Sequence, residues 1–348
     1  MRKIGIIGLP QAGKSSLFQV LTRRKADVSG AGKPEARLGV VEVPDVRLTR
    51  LAEIFQPKKN VPTQLEFVDI QGNINEVTRG GTQLSVLREV DGLAHVVRAF
   101  RDENIPHSSG SVNPKRDIEN VELELILSDL LLIEKRLERL ERDIKKIKNP
   151  ALEAEQTLLI RLREALEKET PLREITLEER EEHRVRGFTF LSAKPELLVL
   201  NLGDEEAGEM EEAETRYELA DLKHRTGTAV TAFCGKIEAE LAELSDTEAA
   251  ELMADFGLKE SGVARAIRAC YDLMNLITFF TAGGEEQRAW SVPRGTTALK
   301  AAGTVHTDME KGFIRAEVVG FDDLMDAGSL AEARSRGTMR LEGKTYQV

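Results

Sequence analysis

Short, mostly apolar runs alternate with helical patterns along the first hundred residues. The runs lie at residues 3–7, 39–43, 65–69 and 93–100. Each is bounded by turn signals, as expected for strands buried in a parallel sheet. The intervening segments show helical periodicity, first with Leu17, Phe18 and Leu21 on one face and then over residues 82–90. Strands that alternate with helices predict an α/β domain with right-handed crossovers.

A longer helical pattern follows, in which apolar residues recur at alternating steps of three and four. They are Leu123, Ile126, Leu130, Ile133, Leu137, Leu140, Ile144 and Ile147. This spacing is typical of a coiled-coil seam. Asn149-Pro150 predicts the end of the helix, and a second stripe contains Leu152, Leu159, Leu162 and Leu166. The short connection favours an antiparallel hairpin within the chain. Dimerisation through the same seam is the alternative.

The strand pattern resumes at residues 197–200 and 229–233, so the hairpin is an insertion into the α/β domain. Helical segments follow from Ile237 to about Met274, and from Leu276 the pieces are short, strand-like and rich in glycine. The pattern therefore predicts a core domain over residues 1–118 and 187–275, a helical coiled-coil insertion over residues 119–186, and a small α+β domain over residues 276–348.

Composition limits the class of protein further. The chain has 348 residues, of which 41% are hydrophobic and 31% charged, as in ordinary globular proteins. It contains no apolar run of about 18 residues, its first residues leave no room for a signal-peptide core, and its two cysteines cannot build a disulfide framework. We therefore expect a cytoplasmic protein with no membrane partner.

The net charge of −11 argues against broad, non-specific binding of nucleic acid, although it leaves room for a local basic face. Residues 134–148 of the predicted hairpin hold seven basic and four acidic residues. This run could face ribosomal RNA or form the solvated flanks of a coiled coil, and the sequence leaves both interpretations open.

The strongest chemical signal lies between the first strand and the first helix. Residues 8–15 read Gly-Leu-Pro-Gln-Ala-Gly-Lys-Ser and fit the P-loop pattern G-x-x-x-x-G-K-[ST]. Its glycines let backbone N–H groups converge on phosphates, its lysine reaches the β- and γ-phosphates, and its serine hydroxyl binds Mg²⁺. The candidate phosphate-binding residues here are Gly8, Gln11, Ala12, Gly13, Lys14, Ser15 and Ser16.

A second motif stands where the strand over residues 65–69 ends. Asp69 is the last residue of that strand, and Gly72 follows three residues later. An acid in this position can hold Mg²⁺ through water, and the glycine N–H can donate to a γ-phosphate. Ser15 and Asp69 are therefore the candidate metal ligands, and Gly72 joins the phosphate-binding set.

A third motif, Asn201-Leu202-Gly203-Asp204, directly follows another strand and occupies the place of the base-reading motif of GTPases. In that motif the Asn contacts the ring edge and the Asp accepts hydrogen bonds from guanine. Here Leu202 replaces a lysine and is expected to leave an apolar plate for the base. Cys234 and Gly235 follow the next strand, where GTPases place backbone atoms against the base. A surface turn is the alternative interpretation of Asn201 and Asp204.

In these motifs the chain resembles the YchF subfamily of Obg-like ATPases, within the translation-factor-related P-loop GTPases. The similarity also covers residues 39–45, 66–70, 94–100, 122–127, 236–241, 279–283, 288–290 and 311–318. The resemblance implies a GTPase-like domain, an inserted coiled coil and a C-terminal TGS domain of β-grasp type. It also implies binding to ribosomes and a preference for ATP.

Several positions depart from the family pattern and indicate a diverged paralogue. Residues 23–48 contain no Thr, although the family's first switch normally supplies one to Mg²⁺ and the γ-phosphate, and Ser29 is the only hydroxyl there. Gln11 replaces the usual Asn, and Asn73 replaces an apolar residue. The family pattern also continues into one more strand beyond Val348, so either the last β-grasp strand is missing or the sequence is truncated.

Asp204 stands where the family has Glu, and its acceptor oxygens suit guanine, because adenine presents N1 as an acceptor. The choice between ATP and GTP therefore stays open. We expect Mg²⁺-dependent binding of a purine nucleoside triphosphate, slow hydrolysis at or below ~10⁻³ s⁻¹, and a role as a ribosome-associated switch. The alternative is a nucleotide-binding scaffold that binds partners through its hairpin and TGS domain. No catalytic residue is assigned, and His95, in an apolar strand, is expected to be a hydrogen-bonded core residue.

Overall fold

The computed structural model describes residues 1–22, 36–70, 72–147 and 149–348. The predictions that fall on residues 23–35, Ser29 included, lie outside the described residues. Contacts divide the chain into two compact units, the first with residues 1–41 and 65–273 and the second with residues 42–64 and 274–348.

Strands and helices are numbered here in chain order. The strands are β1 (Arg2–Ile7), β2 (Arg37–Glu42), β3 (Lys59–Val61), β4 (Gln64–Asp69), β5 (Gly92–Arg98), β6 (Glu196–Asn201), β7 (Thr228–Phe233), β8 (Leu276–Thr281), β9 (Glu286–Pro293), β10 (Ala316–Val318) and β11 (Arg340–Glu342). The helices are α1 (Lys14–Thr22), α2 (Val46–Phe55), α3 (Ile74–Val77), α4 (Thr82–Glu89), α5 (Pro114–Lys146), α6 (Pro150–Leu166), α7 (Glu179–Val185), α8 (Ala213–Arg216), α9 (Ala220–Lys223), α10 (Gly235–Leu241), α11 (Asp246–Asp255), α12 (Gly262–Leu273), α13 (Ala298–Val305), α14 (Thr307–Lys311), α15 (Phe321–Ala327) and α16 (Leu330–Ser335). Short 3₁₀ turns occur at Leu172–Glu174, Arg186–Phe188 and Asp204–Glu209.

The first unit is built on a sheet with the strand order β2-β4-β1-β5-β6-β7. β1 pairs in parallel with β4 and β5, β5 with β6, and β6 with β7. Every residue of β5 and β6 is buried, as expected for central strands of a parallel sheet. Because these strands are parallel, the loops after β1, β4, β6 and β7 meet at one edge of the sheet. The predicted α/β fold with a mostly parallel sheet is confirmed.

The predicted hairpin is formed by α5 and α6. Asn113 and Asn149 cap the two helices with their side-chain oxygens, and a proline follows each cap. Arg136 of α5 pairs with Glu155 of α6, with 2.7 Å between Nε and Oε1, which fits antiparallel helices. The buried residues between the helices include Ile126, Ile133, Leu137, Leu140, Leu158, Leu159, Leu162 and Leu166.

Both ends of the predicted seam differ from the structure. Ile147 is 66% exposed, because the chain leaves the helix there with an extended backbone. At the other end α5 already begins at Pro114, and Val121 and Leu125 are fully buried in the core beneath the sheet, whereas Leu123 is half-buried. The heptad pattern could not show this, since the first turns of α5 pack on the sheet and not on α6.

The second unit contains two small sheets. β9 pairs with β8 in antiparallel and with β3 in parallel orientation, and β10 pairs with β11. Residues 42–64, which the sequence pattern assigns to the core domain, group with this unit, because β3 joins β9 and Leu51 of α2 packs with Leu324 and Ala333. The boundaries of the three domains stay predictions.

The region predicted to be strand-like after Leu276 also contains four helices, α13 to α16. Helices are part of the predicted α+β domain, and some of its glycines end them. Gly328, for example, has φ 73° and ends α15 in the left-handed conformation. A glycine in this role terminates a helix and does not separate two strands.

The longest helix, α5, has 33 residues, and charged side chains cover much of its outer face. Crossing a membrane requires a long and almost uncharged apolar helix. Within the ranges that the structure describes, no helix meets that requirement.

Candidate functional site

The P-loop joins β1 to α1 with a backbone that its glycines make possible. Gly8 has φ 143° and Gly13 has φ 103°, which favour glycine, and Gln11 is also left-handed with φ 62°. A Cβ atom on Gly8 would lie 2.3 Å from the carbonyl oxygen of Val96, and one on Gly13 would lie 2.2 Å from Nδ2 of Asn201. The loop is therefore wrapped tightly enough to gather backbone N–H groups around a phosphate.

Lys14 holds its ammonium group inside this loop. Its Nζ donates hydrogen bonds to the carbonyl oxygens of Gly8 and Leu9 at 2.9 and 3.0 Å. Burial lowers the pKa of Lys14 to about 8, and the negative charge of Asp69 opposes this shift. A positive charge is thus kept close to where the motif predicts the phosphates.

Arg37 brings together the two predicted metal ligands, Ser15 and Asp69. Ser15 and Ser16 are exposed in the first turn of α1, and Asp69 is 1% exposed at the end of β4. Arg37 Nε donates to Asp69 Oδ2 at 3.0 Å, and Arg37 Nη2 donates to the same oxygen and, at 3.1 Å, to Ser15 Oγ. Sequence reasoning missed Arg37, because no motif links it to an acid 32 residues later.

The oxygen atoms at this point fit a hard divalent cation. Asp69 Oδ1 is buried and has no hydrogen-bond partner among the residues that the structure describes. A buried polar atom normally has a partner, so this oxygen points to a ligand. Carboxylate and hydroxyl oxygens are donors that Mg²⁺ prefers. The donor set therefore suits Mg²⁺, and metal binding by Ser15 and Asp69 stays a prediction.

Gly72 lies in the turn after β4 with φ 106°, again a left-handed value. Asn73, which departs from the family pattern, accepts a hydrogen bond from Asn75 N at 3.3 Å and caps α3. This departure has a structural explanation, because a capping side chain satisfies an N–H that the helix leaves free. β4 carries Gly72 to the same sheet edge as the P-loop, and its contact with a phosphate stays a prediction.

Asn201 makes contacts within the protein that the sequence does not predict. It is 5% exposed, and its Nδ2 donates to Ala12 O while its Oδ1 accepts from Gly235 N, both at 3.1 Å. Its side chain therefore ties the P-loop to the start of α10. These two contacts use one of the amide's two N–H donors and one lone pair of its oxygen, so the predicted contact with the edge of the base stays a prediction.

Leu202 does not provide the expected apolar plate. Its side chain is 3% exposed and packs in the core with Leu200 of β6 and Ala207 of the following 3₁₀ turn. The backbone explains this orientation, because Leu202 N donates to Phe233 O at 2.8 Å and continues the strand pairing. Cys234 is also buried, and burial raises the pKa of its thiol. The prediction for Cys234 concerns its backbone and stays open.

Asp204 is the exposed acid of this motif. Its Oδ2 lies 2.5 Å from Nζ of Lys236, and both side chains are more than half exposed. The hydrogen bond from Lys236 lowers the pKa of Asp204, so the carboxylate is an ionised acceptor at neutral pH. The sequence did not single out Lys236, whose position opposite Asp204 depends on the pairing of β6 with β7.

His95 is a buried partner of an acid, as predicted. It is 1% exposed, and its Nδ1 lies 3.0 Å from Oε1 of Glu196 on the neighbouring strand. The interpretation as a hydrogen-bonded core residue is confirmed.

The sheet order, the P-loop after β1 and the acid at the end of β4 define the first unit as a P-loop NTPase with an inserted helical hairpin. Two family models match the chain. One is described as a 50S ribosome-binding GTPase and matches residues 3–160. The other is the C-terminal model of YchF GTPases, described as a protein of unknown function, and matches residues 276–348.

Full-length relatives make the assignment more specific. The protein called ribosome-binding ATPase YchF of Bacillus subtilis (strain 168) is 42% identical over 353 residues, which cover 99% of this chain and 95% of that protein. Its counterpart in Escherichia coli O157:H7 is 41% identical over 354 residues, covering 99% and 96%. The structure of the Schizosaccharomyces pombe YchF GTPase matches with a TM-score of 0.84 at 29% identity, covering 100% and 95% of the two chains. The chain therefore belongs to the YchF family, and the predicted resemblance is confirmed.

Proposed function

We propose that this chain binds a purine nucleoside triphosphate, ATP or GTP, together with Mg²⁺, hydrolyses it slowly, and works in the cytoplasm as a ribosome-associated switch. The observation that carries the proposal is the P-loop. It holds Lys14 inside a tight backbone curve, beside Ser15 and the buried Asp69. The relatives in Bacillus subtilis and Escherichia coli are named ribosome-binding ATPases, which supports both the nucleotide and the ribosome.

The phosphates would be held by the P-loop and by the start of α1. The backbone N–H groups and the ammonium of Lys14 face the anionic oxygens, while Ser15 and Asp69 hold Mg²⁺. The phosphate-binding set is Gly8, Gln11, Ala12, Gly13, Lys14, Ser15, Ser16 and Gly72. Bound Mg²⁺ would neutralise charge on the phosphates. Asn201 supports the P-loop, because its side chain donates a hydrogen bond to the carbonyl oxygen of Ala12.

The exposed Asp204 supports GTP at the base site, whereas the bacterial relatives are named ATPases and the Schizosaccharomyces pombe protein is named a GTPase. Asp204 is exposed and ionised, and an acceptor there suits the N1–H and 2-amino group of guanine. We expect calorimetric titration with Mg²⁺ to give tighter binding of GTP than of ATP, and Asp204→Asn to remove most of that difference. Glu205→Gln is the matched control, because it removes one charge at the next exposed position. A preference for ATP that Asp204→Asn leaves unchanged would refute this assignment of the base site.

Hydrolysis is expected to be slow without a partner, because residues 23–48 contain no Thr to complete the first switch. Single-turnover measurements should give a rate at or below the ~10⁻³ s⁻¹ of unassisted small GTPases. Ribosomes should raise this rate, since a bound partner can order the protein groups around the γ-phosphate. A rate near 1 s⁻¹ for the purified chain, or stimulation by unrelated RNA as large as that by ribosomes, would argue against a ribosome-controlled switch.

The second candidate is a nucleotide-bound scaffold, and the missing Thr is the observation that favours it. In that case the nucleotide binds, but ribosomes produce no turnover. The hairpin would then carry the interaction with partners. Lys135, Arg139, Lys145 and Lys146 are exposed on α5, and such a row can contact the phosphates of ribosomal RNA.

A further inference from the structure

Arg37 lies at the start of β2, and its guanidinium fills the space between Ser15 Oγ and Asp69 Oδ2. Both oxygens accept hydrogen bonds from Arg37. Mg²⁺ requires its oxygen ligands at about 2.0–2.1 Å, whereas an N–H···O bond spans about 2.9 Å. A metal bound to Ser15 Oγ, and reached by Asp69 directly or through a bound water, would therefore lie close to where the guanidinium lies, and the two positive charges would compete for this position.

The charge of Asp69 explains why a cation is needed here. A carboxylate that is 1% exposed is strongly unfavourable without a compensating charge. Lys14 is near, but its Nζ is directed to the carbonyl oxygens of Gly8 and Leu9. Arg37, in contrast, contacts the carboxylate directly and neutralises it.

Arg37 can leave this position without disturbing the core. Its side chain is 33% exposed, whereas that of Asp69 is 1% exposed, so the guanidinium approaches the acid from the solvent side. The guanidinium also lies 5.3 Å from the ring centre of Phe18, a cation–π contact at the edge of the site. A side chain placed in this way can exchange between the acid and a bound anion.

We propose that Arg37 is a built-in competitor of the divalent cation. It occupies the Ser15–Asp69 pair until the metal arrives with a triphosphate, and it must withdraw for the metal to bind. The triphosphate supplies further oxygen ligands to the metal and a new anionic partner to the displaced guanidinium. Arg37 thereby couples metal entry to nucleotide binding. This inference rests on the proposed function, in which Ser15 and Asp69 hold the metal.

The test measures Mn²⁺ binding to the full chain without nucleotide, from the electron paramagnetic resonance signal of free Mn²⁺. Arg37→Gln is expected to bind Mn²⁺ at least tenfold more tightly than the wild type, because the competitor is removed and Asp69 is left without a cation. Arg37→Lys should give a smaller gain, since an ammonium lacks the planar fork that reaches both oxygens. Adding Asp69→Asn to Arg37→Gln should abolish the gain.

Arg136→Gln is the matched control. The Arg136 side chain is also 33% exposed and forms a bidentate salt bridge with the carboxylate of Glu155 in the hairpin. Because this pair includes neither Ser15 nor Asp69, its loss should leave Mn²⁺ affinity unchanged. Melting curves show whether each variant folds. If Arg37→Gln does not fold, the Mn²⁺ affinity of Arg37→Lys is the test of the inference. Equal Mn²⁺ affinity in the wild type and the folded Arg37 variants overturns the inference. Failure of the proposed function looks different, because the wild type would then bind neither nucleotide with Mg²⁺.

Discussion

Replacing Lys14 with alanine is expected to weaken the binding of ATP and GTP with Mg²⁺ at least a hundredfold, measured by calorimetric titration at pH 7.5. The ammonium lies inside the P-loop, where a partly desolvated charge interacts strongly with an anion. Losing two charge-assisted hydrogen bonds from the Lys14 ammonium to the phosphates costs about 1.5–3 kcal/mol each. A hundredfold change in affinity corresponds to about 2.7 kcal/mol. The variant should fold normally. Burial lowers the pKa of Lys14 to about 8, so burying its charged form opposes folding at neutral pH.

Lys194→Ala is the control for this change. Lys194 Nζ also donates to two backbone carbonyl oxygens, those of Arg88 and Val90, and burial also lowers its pKa to about 8. It precedes β6 and therefore lies at the sheet edge opposite to the P-loop. Its loss should leave nucleotide affinity unchanged. Tight binding by Lys14→Ala, or an equal loss in Lys194→Ala, would contradict the placement of the phosphate site.

The parts of the fold that the sequence predicts well are those that local patterns determine. β5 and β6 are buried throughout, so their apolar runs mark them clearly. The P-loop also belongs to this class, because Gly8 and Gly13 are required by their own backbone angles and close contacts. The hairpin is predicted for the same reason, since each helix carries its own apolar stripe.

The parts that the sequence does not predict depend on contacts between distant segments. Arg37 meets Asp69 because β2 lies next to β4 in the sheet, and no local pattern records that neighbour. The sequence marks Asn201 as a ligand for the base, and the fold adds contacts of its side chain with Ala12 and Gly235 that no local pattern records. A motif therefore locates such a site without specifying whether a side chain contacts the ligand or supports a loop.

The largest effect on folding is expected in a buried ionic cluster of the first unit. Arg173 Nη2 contacts both Glu122 and Glu196. Glu122 also pairs with Arg225, and Glu196 also contacts His95. The side chain of Arg173 is 2% exposed, and that of Glu196 is also 2% exposed. Desolvation raises the pKa of Glu196, but the charge of Arg173 and the hydrogen bond with His95 outweigh it and lower that pKa to about 2. Arg173 thus joins α5 to the sheet.

Arg173→Met is expected to reduce the free energy of unfolding by about 3–5 kcal/mol at pH 7.5, measured by urea-induced unfolding. Removing one partner of a buried ion pair leaves the other charge uncompensated, and this buried charge accounts for most of the loss in the free energy of unfolding. Methionine keeps most of the side-chain volume, so a cavity explains little of the loss. Arg225→Met is the control. Arg225 is 26% exposed, and its loss leaves Glu122 paired with Arg173, so the expected reduction is about 1 kcal/mol.

The pH dependence distinguishes the lost charge from lost packing. In the wild type the low pKa of Glu196 contributes stability that is complete above its unfolded value near 4.5 and disappears as pH falls toward about 2. Without Arg173, desolvation dominates and the pKa of Glu196 rises, so the acid becomes neutral at mildly acidic pH. The difference between wild type and Arg173→Met should therefore shrink between pH 7.5 and 4.5. Adding Glu196→Gln should likewise recover part of the loss at pH 7.5, because it removes the unpaired charge. A loss that is independent of pH and unaffected by Glu196→Gln would mean that Arg173 acts through packing alone.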